Sequence, residues 1–133
     1  MKLQISAGKK VKSLKQQFSN FFPFLKIEVF NHPHEKGQGS GLEQKARDRL
    51  LLCEVTGALV EGVMLVDPFM TVAEFEQTMQ KKHGLPVQVF RKSGDIWIET
   101  IQTDNMTLKA QNSLGEESVQ GNKIRFNANT LFL

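Results

Sequence analysis

Residues 63–90, VMLVDPFMTVAEFEQTMQKKHGLPVQVF, decide how this chain folds. VMLVD reads as a strand, TVAEFEQTMQKKH as a helix and LPVQVF as a returning strand. The helix has the strongest local signals. Thr71 and Glu74 form a T-x-x-E capping box that satisfies two otherwise unpaired backbone donors, with Met70 and Phe75 at the flanking staple positions. Gly84 stands where a left-handed residue closes a helix, and Pro86 prevents its resumption. These signals predict a helix over 71–83.

The same unit is written once before. Residues 1–30 read strand (KLQIS), helix (KKVKSLKQQFSNFF) and strand (FLKIEVF). Val11, Leu14 and Phe18 fall sixty-one positions before Val72, Phe75 and Met79. After a one-residue slip at the helix exit, Ile27, Val29 and Phe30 fall sixty before Val87, Val89 and Phe90. Leu3 and Ile5 alternate with Lys2 and Gln4, as a half-buried strand requires. Pro23 stops the first helix.

Between the units, residues 31–41 (NHPHEKGQGSG) have loop composition. In GLEQKARDRLLLCEV, residues Leu42, Ala46, Leu50 and Cys53 line one face of a short helix, while the consecutive leucines also suit a buried strand. After Phe90 the tetrad KSGD marks a tight turn into the partner strand IWIETI. NMT at 105–107 echoes FMT at 69–71 and makes Thr107 the cap of a short helix through Ser113, closed by Gly115. GEESVQGN has linker composition, and KIRFNANTLFL reads as an added strand or a disordered tail.

The order is β-α-β, connector, β-α-β-β-α. Duplicated βαβ units predict a ferredoxin-like split βαβ fold of the α+β class, with two helices on one face of a mostly antiparallel sheet. A ubiquitin-like roll is the alternative. The boundaries are a single domain over 1–115 and a tail over 116–133.

Composition excludes more functions than it suggests. At 133 residues, 40% hydrophobic and 23% charged, the chain suits one globular domain. Ten Phe, one Trp and no Tyr point to core filling. The single Cys53 excludes an internal disulfide and sits in an apolar run, which predicts a buried, unreactive thiol. No stretch approaches the ~20 apolar residues of a membrane span, and no apolar signal core follows Met1, so a cytoplasmic protein without membrane contact is expected.

No catalytic constellation is visible. His32 and His34 flank a proline beside Glu35, but no third or fourth metal ligand accompanies them. His83 at a helix end is explained by the helix dipole. GxSxG is absent, and GQGSG at 37–41 lacks the Lys-Ser/Thr of a phosphate loop. Neither a cofactor nor a metal is predicted. The carboxylates Asp67, Glu74, Glu76, Asp95 and Glu99 show no pairing suited to acid–base work.

One local conflict stands out. Residues 1–26 carry Lys2, Lys9, Lys10, Lys12, Lys15 and Lys26 and no acid, and lysine at a helix start opposes the macrodipole. In antiparallel helices that start would lie near Lys81 and Lys82. Lys9, Lys10, Lys12, Lys81 and Lys82 are therefore a candidate anion site, with free backbone N–H groups among them. The strand aromatics Phe30, Phe90 and Trp97 would add a stacking surface if they face outward.

The stretch MTVAEFEQTMQKKHGLPVQVFRKSGDIWIETIQTDNMTLKAQNSLG resembles small uncharacterised bacterial proteins in which a capped helix, an LxVQVFRKSG-type hairpin and a TDxxTL segment recur. The likeness covers about a third of the chain, roughly 70–115. It implies a fold neighbourhood and carries no activity, cofactor or site. The leading expectation is a non-enzymatic domain acting through protein–protein contact, self-association as a homodimer included. A weak nucleic-acid or anion binder using the lysine end is the second reading. An enzyme whose site is not written in sequence order is the third.

Overall fold

Apolar residues at helical and strand spacing are buried together in the computed structural model, which describes residues 1–31 and 45–131, the last ten of these by backbone alone. In chain order the elements are β1 (Lys2–Ile5), α1 (Val11–Phe21), β2 (Leu25–Val29), the single-turn α2 (Leu52–Val55) and β3 (Gly62–Leu65). They are followed by α3 (Val72–His83), β4 (Val87–Ser93), β5 (Ile96–Glu99), a 3-10 turn at Ile101–Thr103 and α4 (Leu108–Leu131). The fold is α+β, and its sheets are antiparallel.

Each helix of the two βαβ stretches buries the stripe its spacing predicts. Val11, Leu14 and Phe18 of α1 and Val72, Phe75 and Met79 of α3 are all fully buried. The helices meet where the Phe18 and Phe75 rings stand 5.0 Å apart between centroids. Burial of each such ring stabilises by about 1.5–3 kcal/mol. Leu3, Ile5, Ile27, Met64, Val87 and Val89 complete the same core from the strands.

The strands do not form the single split βαβ sheet that the sequence led us to expect. β1 pairs with β3 in one sheet, and β2, β4 and β5 form another. Edge satisfaction accounts for the separation. The outer edge of β1 is closed by α1: Gln4 N–H donates to Gln17 Oε1 at 3.4 Å, and Gln17 Nε2 donates to the Lys2 carbonyl at 3.2 Å. The far edge of β2 is met by the connector, where Lys45 bridges Phe30 and Ala46 N–H donates to the Val29 carbonyl at 2.7 Å. Beyond the end of β5, the open edge of β4 is plugged by side chains. Val89 N–H donates to the Glu76 carboxylate and the Thr100 hydroxyl donates to the Val89 carbonyl, both at 2.8 Å.

The helix starts use neighbouring backbone more than side chains. The Val11 and Lys12 N–H groups donate to the Leu50 and Asp48 carbonyls at 2.8 and 3.0 Å. Those of Val72 and Ala73 donate to the Met106 and Asp104 carbonyls at 3.0 and 2.8 Å. The capping box is half formed. Thr71 Oγ1 accepts from Glu74 N–H at 3.1 Å, but Thr71 pairs by its backbone with Thr107, and the Glu74 carboxylate makes no return bond among the described residues. Gly84 does close α3 with φ 69°, and a Cβ there would stand 2.2 Å from the Ala58 carbonyl oxygen.

Two further expectations are corrected. Residues 45–51 are bridge and turn rather than helix, and only Leu52–Val55 is helical. The final helix does not stop at Gly115 but continues to Leu131. Its polar residues are anchors. Asn112 Oδ1 accepts from Phe24 N–H at 2.8 Å, Ser118 Oγ donates to the Lys92 carbonyl at 3.1 Å, and Arg91 Nη1 donates to Gln111 Oε1 at 3.2 Å. Gly115 sits where α4 crosses Phe24, so closely that a Cβ would lie 2.9 Å from both the Phe24 Cβ and its carbonyl oxygen.

Substitution at two glycines of α4 should therefore have opposite signs. Gly115→Ala should destabilise, because overpacking costs about 1–3 kcal/mol and outweighs the ~1 kcal/mol helix-propensity gain. Gly121→Ala, with nothing within 4 Å, should stabilise by about 0.5–1 kcal/mol. Urea denaturation midpoints check both. At the start of α3, Thr71→Ala should cost about 1 kcal/mol. Glu74→Ala should add its own few tenths through the helix dipole, so the double variant should be additive within error.

Candidate functional site

Of the five lysines singled out in the sequence, four are surface groups and one serves a strand edge. Lys10, Lys12, Lys81 and Lys82 are exposed. The first N–H groups of α1 are taken by the Leu50 and Asp48 carbonyls. Lys9 is half-buried and serves the β1 edge, donating to the Gln4 carbonyl at 2.8 Å and to Gln17 Oε1. Burial holds its ammonium below the ordinary lysine range.

A lysine cluster lies along the flank of α1 and the adjoining face of β2. Lys12, Lys15 and Lys26 line a cavity of about 260 Å³ with Gln16, Ser19 and Asp48. Of these, Lys15 pairs with Glu28, whose side chain is 3% exposed and whose carboxylate is held by Lys15 and Lys45. Lys15 also reaches Asp48 at 2.8 Å. Lys12 and Lys26 have no carboxylate partner among the described residues. Lys26 instead stands over two rings, 5.5 Å from the centroid of Phe90 and 5.3 Å from that of Trp97, with Lys92 4.9 Å from Trp97. The Lys26 ammonium is held below its usual range by burial, then by the charge of Lys15, with Lys92 adding to the effect. The Lys45 ammonium is lowered in the same way, by burial and by Lys15 and Lys26.

The three strand aromatics divide. Phe30 is core at 1% exposure, Phe90 is half-buried and Trp97 is 36% exposed. Strand alternation did not reveal this, because it sets which residues share a face and not which face is covered.

The second surface of note was missed in the sequence. In β1–β3 the register pairs Lys2 with Leu65, Leu3 with Met64 and Gln4 with Val63. Gln4 N–H and the Lys2 carbonyl point away from β3, so ladder alternation turns the N–H and C=O groups of Val63 and Leu65 away from β1. No described residue bonds them. The Val63 and Leu65 side chains are 46% and 67% exposed, and Val60 beside them is 55% exposed. Exposed Glu61 and Asp67 flank this edge. One accepts from Ala7 N–H at 2.9 Å and the other from Phe69 N–H at 2.8 Å.

Two residue readings change. Cys53 is exposed rather than buried, because the core of that turn is taken by Leu52 and Val55 on either side. His83 is 6% exposed, and its Nδ1 lies 2.8 Å from the Val60 carbonyl, so it ties α3 to the entry of β3. His32, His34, Glu35 and the GQGSG stretch lie outside the described residues. Among the described residues no group of three His, Cys, Asp or Glu side chains gathers as metal ligands, and no helix is long and apolar enough to cross a membrane.

The Asp48 carboxyl is held below its ordinary range chiefly by the hydrogen bond from Lys15, which outweighs the opposing effect of burial, with the charges of Lys15, Lys45 and Lys12 adding to it. A carboxyl depressed in the folded state contributes stability above its unfolded value of about 4 and loses it as pH falls through the folded one. Asp48→Asn should therefore lower the denaturation midpoint at pH 7, and by progressively less as pH falls below about 4 and through the folded value. No family model, curated protein or solved structure matches the chain, so these two surfaces carry the functional reading.

Proposed function

We propose that the chain is a non-enzymatic α+β binding domain that takes an extended segment of another protein as an added strand along the outer edge of β3. The carrying observation is the contrast between the two edges of one small sheet. The β1 edge is closed by Gln17 and Lys9, whereas the β3 edge presents backbone groups at exposed Val63 and Leu65 that have no partner among the described residues. Proteins ordinarily blunt such edges, and an exposed apolar one is a template for pairing.

We further infer that the two βαβ stretches are copies of one unit, of which the ferredoxin-like pattern in the sequence is a trace. The pairings support it. With the offset of sixty-one, β1 and β3 cross at equivalent residues, Leu3 and Met64; with the offset of sixty, β2 and β4 cross at Glu28 and Gln88. The relation extends past the strands. Val11 and Lys12 N–H bond Leu50 and Asp48, as Val72 and Ala73 bond Met106 and Asp104, and Lys10 bridges Leu51 as Thr71 bridges Thr107. Under this equivalence Gln17 corresponds to Thr78 and Lys9 to Met70. Neither has the reach and hydrogen-bonding groups to close β3. The copies differ at the plug, which leaves one edge closed and the other open.

The partner follows from the flanks. A β3–β3 homodimer centred on Met64 would set Glu61 against Asp67 of the second copy, and like charges directly opposite are destabilising. A strand with alternate apolar residues bounded by Lys or Arg avoids this and matches the acidic flanks. Association by apolar burial and backbone pairing should survive moderate salt.

The test transplants the plug. A labelled peptide Lys-Thr-Val-Thr-Val-Thr-Lys should bind the wild type, and its Glu-flanked counterpart should bind at least about tenfold more weakly, roughly 1.4 kcal/mol. Thr78→Gln combined with Met70→Lys should abolish binding while leaving the circular dichroism spectrum near wild type, with the denaturation midpoint lowered because Met70 packs against the core. Binding that survives both Thr78→Gln/Met70→Lys and Val63→Lys would overturn the proposal. Sedimentation as a dimer that Val63→Lys dissolves would overturn the choice of a separate partner.

A further inference from the structure

The lysine cluster on the flank of α1 has more positive charge than its own acids can neutralise. Glu28 and Asp48 answer Lys15 and Lys45, and the cation set continues through Lys12, Lys26 and Lys92. Lys12 and Lys26 line the same cavity, without a carboxylate partner among the described residues, beside the Gln16 amide and the Ser19 hydroxyl. The Ser19 hydroxyl proton goes to the Leu25 carbonyl at 3.1 Å, so the donors turned toward a ligand are the ammonium groups and the Gln16 amide. Lys26 belongs to the cavity and also stands over Phe90 and the exposed Trp97. Cavity and aromatic surface are thus joined by one side chain.

We propose that this cavity binds the phosphate of a nucleotide whose base stacks on Trp97. The pairing of features selects the ligand. A cavity lined by lysines takes an anion, and an adjacent exposed indole takes a flat ring, which together match a phosphate carrying a base. Lys26 and Lys92, which both stand over the ring, shift toward phosphate and free the indole for stacking. Where the ligand carries a second phosphate, Lys92 is placed to meet it. Free nucleotide and single-stranded nucleic acid present the same chemistry, and stacking on an exposed aromatic beside a basic groove is how single strands are held without sequence preference. The site is distinct in residues from the β3 edge and stands or falls apart from it.

Trp97 is the chain's single tryptophan and there is no tyrosine, so its fluorescence reports the site directly. Titration at low salt should use three probes: inorganic phosphate, adenosine 5′-monophosphate and a short oligothymidylate. Either nucleotide probe should quench the emission, and whichever binds tighter identifies the source. Inorganic phosphate should bind at least about fivefold more weakly than the better nucleotide, since stacking is worth roughly 1–3 kcal/mol. For the oligonucleotide, affinity should fall linearly in log–log with salt, with a slope of about −0.7 for each phosphate neutralised. Lys12→Gln combined with Lys26→Gln should weaken binding at least about tenfold, and Trp97→Ala about fivefold, read by anisotropy of a labelled oligonucleotide. Lys81→Gln combined with Lys82→Gln, a change of equal charge elsewhere, should leave it within twofold. Absence of binding by both nucleotide probes, equal loss in the two lysine pairs, or phosphate binding as tightly as nucleotide would overturn the proposal.

Discussion

The fold is governed by the requirement that backbone polar groups removed from water find partners, since leaving one unmade costs about 1–3 kcal/mol. At the helix starts, connector carbonyls accept from the first N–H groups of α1 and α3. At the β1 edge, Gln17 supplies both an acceptor and a donor, and at the β4 edge Glu76 and Thr100 do the same. Each closure ends a sheet where another strand would otherwise add. The division into a β1–β3 pair and a β2–β4–β5 sheet is the outcome of where those plugs stand. The edge of β3 is the place where the pattern stops.

Local signals were readable wherever one residue type has one physical job. Gly84 reads as a left-handed terminus because only glycine tolerates φ 69° with the Ala58 carbonyl so close. Gly94 at φ 61° turns the β4–β5 hairpin as KSGD implied. The stripes Val11, Leu14, Phe18 and Val72, Phe75, Met79 are buried because their spacing admits one helical face. Strand partners were not readable, since alternation fixes faces and is silent on neighbours. The plugs were invisible because Gln17 and Thr78 look alike in a polar helix face until an edge lies beside them. The stretch after Ser113 looked like a linker for a related reason. Gly115 and Ser118 are polar or small because they touch backbone, not because they are solvated.

The lysine-rich start of α1 combines a satisfied terminus with a charged flank. Its oddity in the sequence was unfavourable charge at a helix terminus, and the terminus is satisfied by carbonyls. The lysines matter through their flank. Lys15 turns inward to Glu28, while Lys12 lines the cavity beside Lys26 with no carboxylate partner among the described residues. A buried carboxylate held by two ammonium groups is costly to break, since removing partners leaves a charge in a dry place. That fixes Lys15 in position and leaves its neighbours to face solvent. The apolar edge and the cationic cavity are alike in this respect: among the described residues, backbone groups lack partners in one and cations lack carboxylates in the other.

Amide hydrogen exchange of the free protein tests the central claim most directly. The N–H of Met64 is paired inside the ladder with Leu3, whereas those of Val63 and Leu65 turn outward. The account predicts strong protection at Met64, near-unprotected exchange at Val63 and Leu65, and intermediate protection at Gln4 from its bond to Gln17. Val63 and Leu65 protected as strongly as Met64 in a monomer would contradict it, for the edge would then already be closed.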